Sequence, residues 1–252
     1  MNYLIDTHAH IDMYEDFDAI IKNAQDANIK KIIIPSVEEK YFEKIITIAE
    51  TYENVFCQLG LFPSEAINWT DKTESKIKEL ANNKKVVAIG EIGLDYYWDK
   101  TYIEEQKNIF KKQIIIANEL KLPIVVHDRE AHKDCIDILK EYNKTSNVIF
   151  HCFSGSVEMM KECVRLGWYI ALGGVVTFKN AKKMKDVAKE IPLENLMLET
   201  DSPYLTPVPY RGKENQPAYI KYVAEEIAQL KNIPVDDIIK QTTNNSERVF
   251  KI

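Results

Sequence analysis

The chain is poor in cysteine: Cys57, Cys135, Cys152 and Cys163 show no C-x-x-C spacing. That pattern gives no indication of a disulfide framework or a cysteine zinc site, and it fits a reducing cytosol. No apolar run approaches membrane-spanning length, so no membrane association is expected. The first apolar segment carries Asp6 and no basic region precedes it, so no secretory leader is expected and the expected compartment is cytoplasmic. There is no internal repeat and no low-complexity stretch. Basic charge is also short: 33 Lys and Arg against 39 Asp and Glu leave a net charge of −6. That balance argues against a long nucleic-acid surface but leaves room for a local basic cleft. Nothing in the sequence calls for an obligate protein partner.

What the chain does have is alternation. Its 252 residues, 45% hydrophobic and 29% charged, suit a single domain spanning 1–252. Near-continuous apolar runs predict strands over 2–7, 30–35, 54–59, 86–91, 123–127, 147–151, 168–172 and 195–199, as parallel strands buried on both faces should read. Helical spacing lies between them, over 15–28, 40–52, 72–82, 101–121, 131–142, 156–166 and 216–231. Thr101 and Glu104 form a candidate capping box. Residues 174–190 predict an extra helix, and 234–251 a final one opened by Pro234. The proline-rich loop 202–215 is expected to cover the end of the eighth strand. Eight strands alternating with helices predict an α/β fold of the (β/α)8 TIM-type barrel class. An open doubly wound sheet lacks its G-x-G-x-x-G signature after the first strand.

The histidines are placed unusually. In Asp6-Thr7-His8-Ala9-His10, His8 and His10 follow the first apolar run and share a face, because strand side chains alternate. His127 ends the run from Leu122, and His151 the run from Asn147. Glu91 ends Val86–Gly90, and Asp201 follows the run from Leu196. Six nitrogen and oxygen donors at separate strand ends predict a site for one or two divalent ions of the Zn, Mn or Mg type. His132, in Glu130-Ala131-His132-Lys133, reads as a helix start and not as a ligand.

Longer segments then resemble the TatD family of metal-dependent hydrolases. They are Asp6–His10, Val87–Tyr96, Pro123–Arg129, His151-Cys152-Phe153-Ser154-Gly155, Gly173–Asn180, Leu198–Leu205 and Arg211-Gly212-Lys213-Glu214-Asn215, in family order over nearly the whole chain. The resemblance implies an amidohydrolase-like barrel, one or two divalent cations and deoxyribonuclease activity, with single-stranded DNA or 3′ ends as the expected substrate. By motif position it carries over the same six ligands: His8, His10, Glu91, His127, His151 and Asp201. One departure stands out: many members have histidine in a G-x-H-P turn, and here the turn is Gly60-Leu61-Phe62-Pro63.

A phosphodiester is anionic and repels nucleophiles, a problem two metals can solve. Glu91 is expected to bridge two ions. Asp201 is expected both to ligate and to take a proton from the attacking water. Arg129, Lys179 and Arg211 are the candidate phosphate contacts, with Asn180 and Ser154 as further donors. Tyr96, Tyr97 and Trp98 read either as base-stacking aromatics or as packing. Asp95 reads either as an orienter of a ligand histidine or as a cap. The lysine pairs Lys30-Lys31, Lys84-Lys85 and Lys182-Lys183 read as solvated faces. Two rival functions remain at this level: a same-barrel hydrolase of another ester or amide, and a non-catalytic metal-binding scaffold. No lysine ends a strand to carry a bridging carbamate, which favours phosphodiesters over amides.

Overall fold

The computed structural model describes residues 3–98, 100–144 and 146–252. Its strands are β1 (Leu4–Asp6), β2 (Ile29–Pro35), β3 (Val55–Leu59), β4 (Val86–Asp95), β5 (Ile124–Arg129), β6 (Val148–Phe150), β7 (Tyr169–Leu172) and β8 (Leu196–Leu198). Its α-helices are α1 (Phe17–Asp26), α2 (Phe42–Thr51), α3 (Asp71–Leu80), α4 (Ile103–Leu120), α5 (His132–Tyr142), α6 (Val157–Arg165), α7 (Lys182–Glu190), α8 (Ile220–Lys231) and α9 (Val235–Phe250). The strands belong to one sheet in chain order, β1 to β8. Pairing is parallel wherever register is defined, from β1–β2 through β3–β4, β4–β5 and β5–β6 to β7–β8. This is the (β/α)8 class. No helix among the described residues is long and apolar enough to cross a membrane.

The chain divides into two compact units, Met1–Ile34 with Cys152–Ile252, and Pro35–His151. Each has its own apolar interior. Ile5, Ile32, Ile170, Met197 and Ile227 are buried in the first, and Ile45, Leu59, Ile89, Phe110 and Val126 in the second.

Several local readings change. β4 does not stop at Glu91 but runs to Asp95, buried at all ten positions. The reason lies in its partner: Ile92, Gly93, Leu94 and Asp95 pair with Val126, His127, Asp128 and Arg129. Gly93 makes this possible. Its φ is +149°, and a Cβ there would sit 1.9 Å from the His127 carbonyl oxygen, a position open only to glycine. The cap position of α4 falls on Tyr102 and not on Thr101. α4 begins at Ile103 with Tyr102 at its cap and no side-chain cap bond. Reciprocal capping is found instead at α3, between Thr70 and Thr73. The helix expected over 174–190 is a 3-10 turn, Gly174–Thr177, followed by α7. The one over 216–231 likewise opens as a 3-10 turn, Pro217–Tyr219. Two lysines read as solvated are engaged. Lys85 Nζ donates to the carbonyls of Tyr52, Glu53 and Val55 at 2.8–3.0 Å, and Lys31 pairs with Glu247 at 2.8 Å. The loop after β8 is tied down by Asn215, which is buried and donates to the carbonyls of Thr200 and Tyr204.

Candidate metal centre

In the first unit the end of β1 is laced to the end of β8. Thr7 N–H donates to Leu198 O, Asp201 N–H to His8 O, and His10 N–H to Ser202 O at 2.8–3.2 Å. This lacing gathers His8, His10 and Asp201. Nε2 of His10 lies 3.5 Å, and Nε2 of His8 3.9 Å, from Oδ1 of Asp201. The two imidazoles meet edge to face with centroids 5.2 Å apart. One donor atom from each of the three residues falls within 4.8 Å of the others, and both histidines are buried. Asp201 occupies the left-handed region, φ +53°, which aspartate and asparagine tolerate better than other side chains.

Asp6, immediately ahead of this cluster, is fully buried. Its Oδ2 accepts from Thr200 Oγ1 at 2.6 Å, and its Oδ1 from Thr200 N–H at 3.0 Å and His8 N–H at 3.3 Å. Burial pushes its carboxyl up to about 8 against the pull of those hydrogen bonds. One carboxyl thus holds the backbone next to both His8 and Asp201. Glu199, also buried, accepts from the N–H of Cys152.

The second unit holds Glu91, His127 and His151. Glu91 Oε1 lies 2.7 Å from His127 Nδ1 and 2.7 Å from His151 Nε2. Again three donor atoms fall within 4.8 Å of one another. The other ring nitrogen of His127, Nε2, lies 3.0 Å from Asp95 Oδ2. Burial alone would lower the His127 pKa, but the hydrogen bonds to Asp95 and Glu91 and the Glu91 charge outweigh it and hold it above the usual value. Burial would likewise raise Asp95, yet the bonds from His127 and from the Trp98 and Tyr97 amides hold it below the usual carboxylate value. Asp95 therefore makes the contacts that both sequence readings call for. Its Oδ1 caps the amides of Tyr97 and Trp98, while Oδ2 faces a cluster histidine. Phe62, from the Gly60-Leu61-Phe62-Pro63 turn, packs edge-on against the His127 ring with centroids 4.5 Å apart.

Imidazole nitrogens and carboxylate oxygens in close groups of three are the donor set that divalent cations of the Zn, Mn and Mg type take. The two clusters fit that requirement. All six strand-end residues expected as ligands fall into one or the other.

The expected substrate contacts are distributed between the units. Arg129 ends β5, its guanidinium 4.1 Å from the Tyr97 ring centroid and 5.2 Å from that of Trp98. Arg211 stacks on Phe178 at 4.0 Å, the residue just before Lys179 and Asn180, both exposed. Ser154 is half-buried. Tyr96 is the packing aromatic, its hydroxyl donating to Asp134 at 2.8 Å. His132 is half-exposed, its Nδ1 2.8 Å from Asp128 Oδ2, and it joins neither cluster. Sequence reasoning missed Asp6, Thr200 and Glu199. Asp6 and Thr200 adjoin motif residues, but nothing in spacing pairs two side chains 194 positions apart.

A family model described as TatD related DNase matches residues 5–251. YabD of Bacillus subtilis, a metal-dependent hydrolase, is 44% identical over 253 residues, covering 99% of both chains. YcfH of Escherichia coli, also a metal-dependent hydrolase, is 36% identical over 258 residues, 99% of this chain and 96% of its own. Among solved structures, the TatD homologue YjjV of Escherichia coli superposes with a TM-score of 0.93 at 32% identity, covering 99% of this chain and 98% of that one. An amidohydrolase of Saccharomyces cerevisiae shares the fold at TM-score 0.81 and 17% identity.

Proposed function

The chain belongs to the TatD family of metal-dependent hydrolases, and on that premise we propose that it is a phosphodiesterase that cleaves DNA, working from single-stranded ends. The observation that carries this reading is the pair of His/carboxylate clusters, His8–His10–Asp201 and Glu91–His127–His151, each with its donor atoms within 4.8 Å of one another. His8, His10 and Asp201 would hold one divalent cation, and Glu91, His127 and His151 a second. Bound cations of this kind neutralise phosphate charge and acidify water.

The chain's own residues supply the rest. Asp201 accepts the proton of the attacking water. Its carboxylate oxygens carry the lone pairs that this task needs. Asp95 fixes the ring orientation and tautomer of His127. Arg129, Arg211 and Lys179 grip phosphates, the arginines through a planar fork and the lysine as a point charge, and Asn180 donates from its amide. These basic residues would form a local cleft, which a net charge of −6 leaves room for.

The test is cleavage of end-labelled single-stranded DNA by purified protein supplied in turn with Mg, Mn and Zn, beside a panel of esters and cyclic amides. Metal-dependent shortening of DNA with an inert panel is expected. Turnover of the panel with DNA left intact would overturn the DNA assignment.

A further inference from the structure

The loop after β4 carries two of the most exposed aromatic side chains in the molecule. Trp98 is 73% and Tyr97 50% exposed. Neither the hydrophobic effect nor strand packing places a large ring there. The rings meet edge to face, centroids 4.9 Å apart, and the Arg129 guanidinium lies over both. Among the described residues no carboxylate lies within ion-pair distance of Arg129. A guanidinium stacked on a ring keeps its N–H groups in plane and directed outward, where they can meet a phosphate.

The loop is fastened to the hydrolytic cluster. Asp95 Oδ1 holds the backbone amides of Tyr97 and Trp98 at 2.8 and 3.1 Å, and its Oδ2 faces His127. Arg129 pairs in register with Asp95, two residues along β5 from His127, on the same face of that strand. A phosphodiester held at His127 therefore has its neighbouring nucleotide within reach of the Tyr97–Trp98–Arg129 group.

Resting on the DNA reading above, we infer that Tyr97, Trp98 and Arg129 form a platform on which the unpaired base next to the scissile phosphate stacks. Rings accept any base through its π-face, so the site selects for an unstacked strand and not for sequence. It gives the reason for a preference for single-stranded ends: a base in a duplex has no free face to offer.

The probes are two single-stranded oligonucleotides, one intact and one with tetrahydrofuran abasic residues at its terminal positions, which keep every phosphate. Trp98→Ala and Tyr97→Ala are the variants, with Trp98→Phe as the conservative one. The exposure of both side chains leaves the fold unaffected. Binding to EDTA-treated protein is followed by anisotropy of the labelled strand. Wild type should bind the intact strand roughly 5- to 150-fold more tightly than the abasic one, the worth of one stacked base. Each alanine variant should lose most of that discrimination, and Trp98→Phe should keep most of it. In cleavage with metal added, the loss should appear in KM for the intact strand and spare kcat. Equal discrimination by wild type and variants, or none by wild type, overturns the platform even where DNA is cleaved normally. Base-dependent binding without cleavage under any metal leaves the platform standing and sinks the nuclease reading instead.

Discussion

Asp95 and His127 face each other through Oδ2 and Nε2 at 3.0 Å, across the paired strands β4 and β5. The same imidazole presents Nδ1 to Glu91, so one ring is held between two carboxylates. Asp95→Asn keeps the shape and a hydrogen bond but removes the charge. We expect metal affinity of this cluster to fall by 10- to 100-fold, the usual worth of such an orienting carboxylate. Isothermal titration with Zn or Mn reads it directly. Unchanged affinity would reduce Asp95 to a loop cap.

Asp201→Asn separates charge from backbone. Asparagine tolerates the left-handed φ of +53° and keeps an oxygen for a cation, but it cannot take a proton at neutral pH. With metal content largely retained, kcat on DNA should drop by roughly 10²–10⁴. Loss of metal together with activity would make Asp201 chiefly a ligand. A drop of less than tenfold with metal retained would end the general-base assignment.

Cation binding should also show in stability without any turnover. At a concentration 100 times Kd a cation that binds only the folded chain adds about 2.7 kcal/mol, which for a chain of this size is a rise in Tm of about 5–11 °C. Glu91→Ala should abolish the part of the shift due to its cluster while leaving a cooperative melt in EDTA. Absence of any shift in the wild type with Mg, Mn and Zn would remove the metal reading.

Thr200→Val tests the Asp6 clasp. It deletes the 2.6 Å bond from Thr200 Oγ1 to a fully buried carboxyl at nearly constant volume. Leaving that acceptor short of a donor should cost about 1–3 kcal/mol in urea unfolding. A cost near zero would show that the clasp is not needed to hold the ends of β1 and β8.

Glu247 on α9 takes hydrogen bonds from Lys31 and from Tyr3. Burial would raise its pKa, but those two bonds and the Lys31 charge bring it below the usual value. A depressed carboxyl contributes stability above its unfolded pKa and loses it as pH falls through the folded one. Glu247→Gln should therefore cost up to about 1 kcal/mol at neutral pH and nothing once the carboxyl is protonated. Tyr3 has the opposite sign. The Glu247 hydrogen bond, burial and the Glu247 charge raise it from 10.0 to about 12, so its contribution is complete below pH 10 and lost between 10 and 12. Tyr3→Phe should flatten the alkaline limb of a stability–pH curve. A variant whose curve parallels wild type at both limbs would mean these groups titrate alike folded and unfolded.

The order of elements was legible in the sequence because each strand is an apolar run of its own and each helix a spacing of its own. Those are local properties, written within ten residues or so. The six cluster residues were legible for the same reason. A histidine or acid behind an apolar run emerges toward the far end of its strand, although Glu91 and His127 stand inside β4 and β5 because those strands continue past them. The sequence also carried the family, through motifs that remain contiguous. It did not carry the partners. That β4 continues past Glu91 to Asp95 depends on β5 being there to pair with Ile92–Asp95 and on Gly93 giving way to the His127 carbonyl. The sorting of six donors into His8–His10–Asp201 and Glu91–His127–His151 depends on which strand ends meet. The Asp6–Thr200 clasp spans 194 positions, and the placing of Arg129 over Tyr97 and Trp98 follows from β4–β5 register. Local sequence sets which residues can emerge at a strand end. Only the hydrogen-bonded register between strands distant in the chain decides which of them touch.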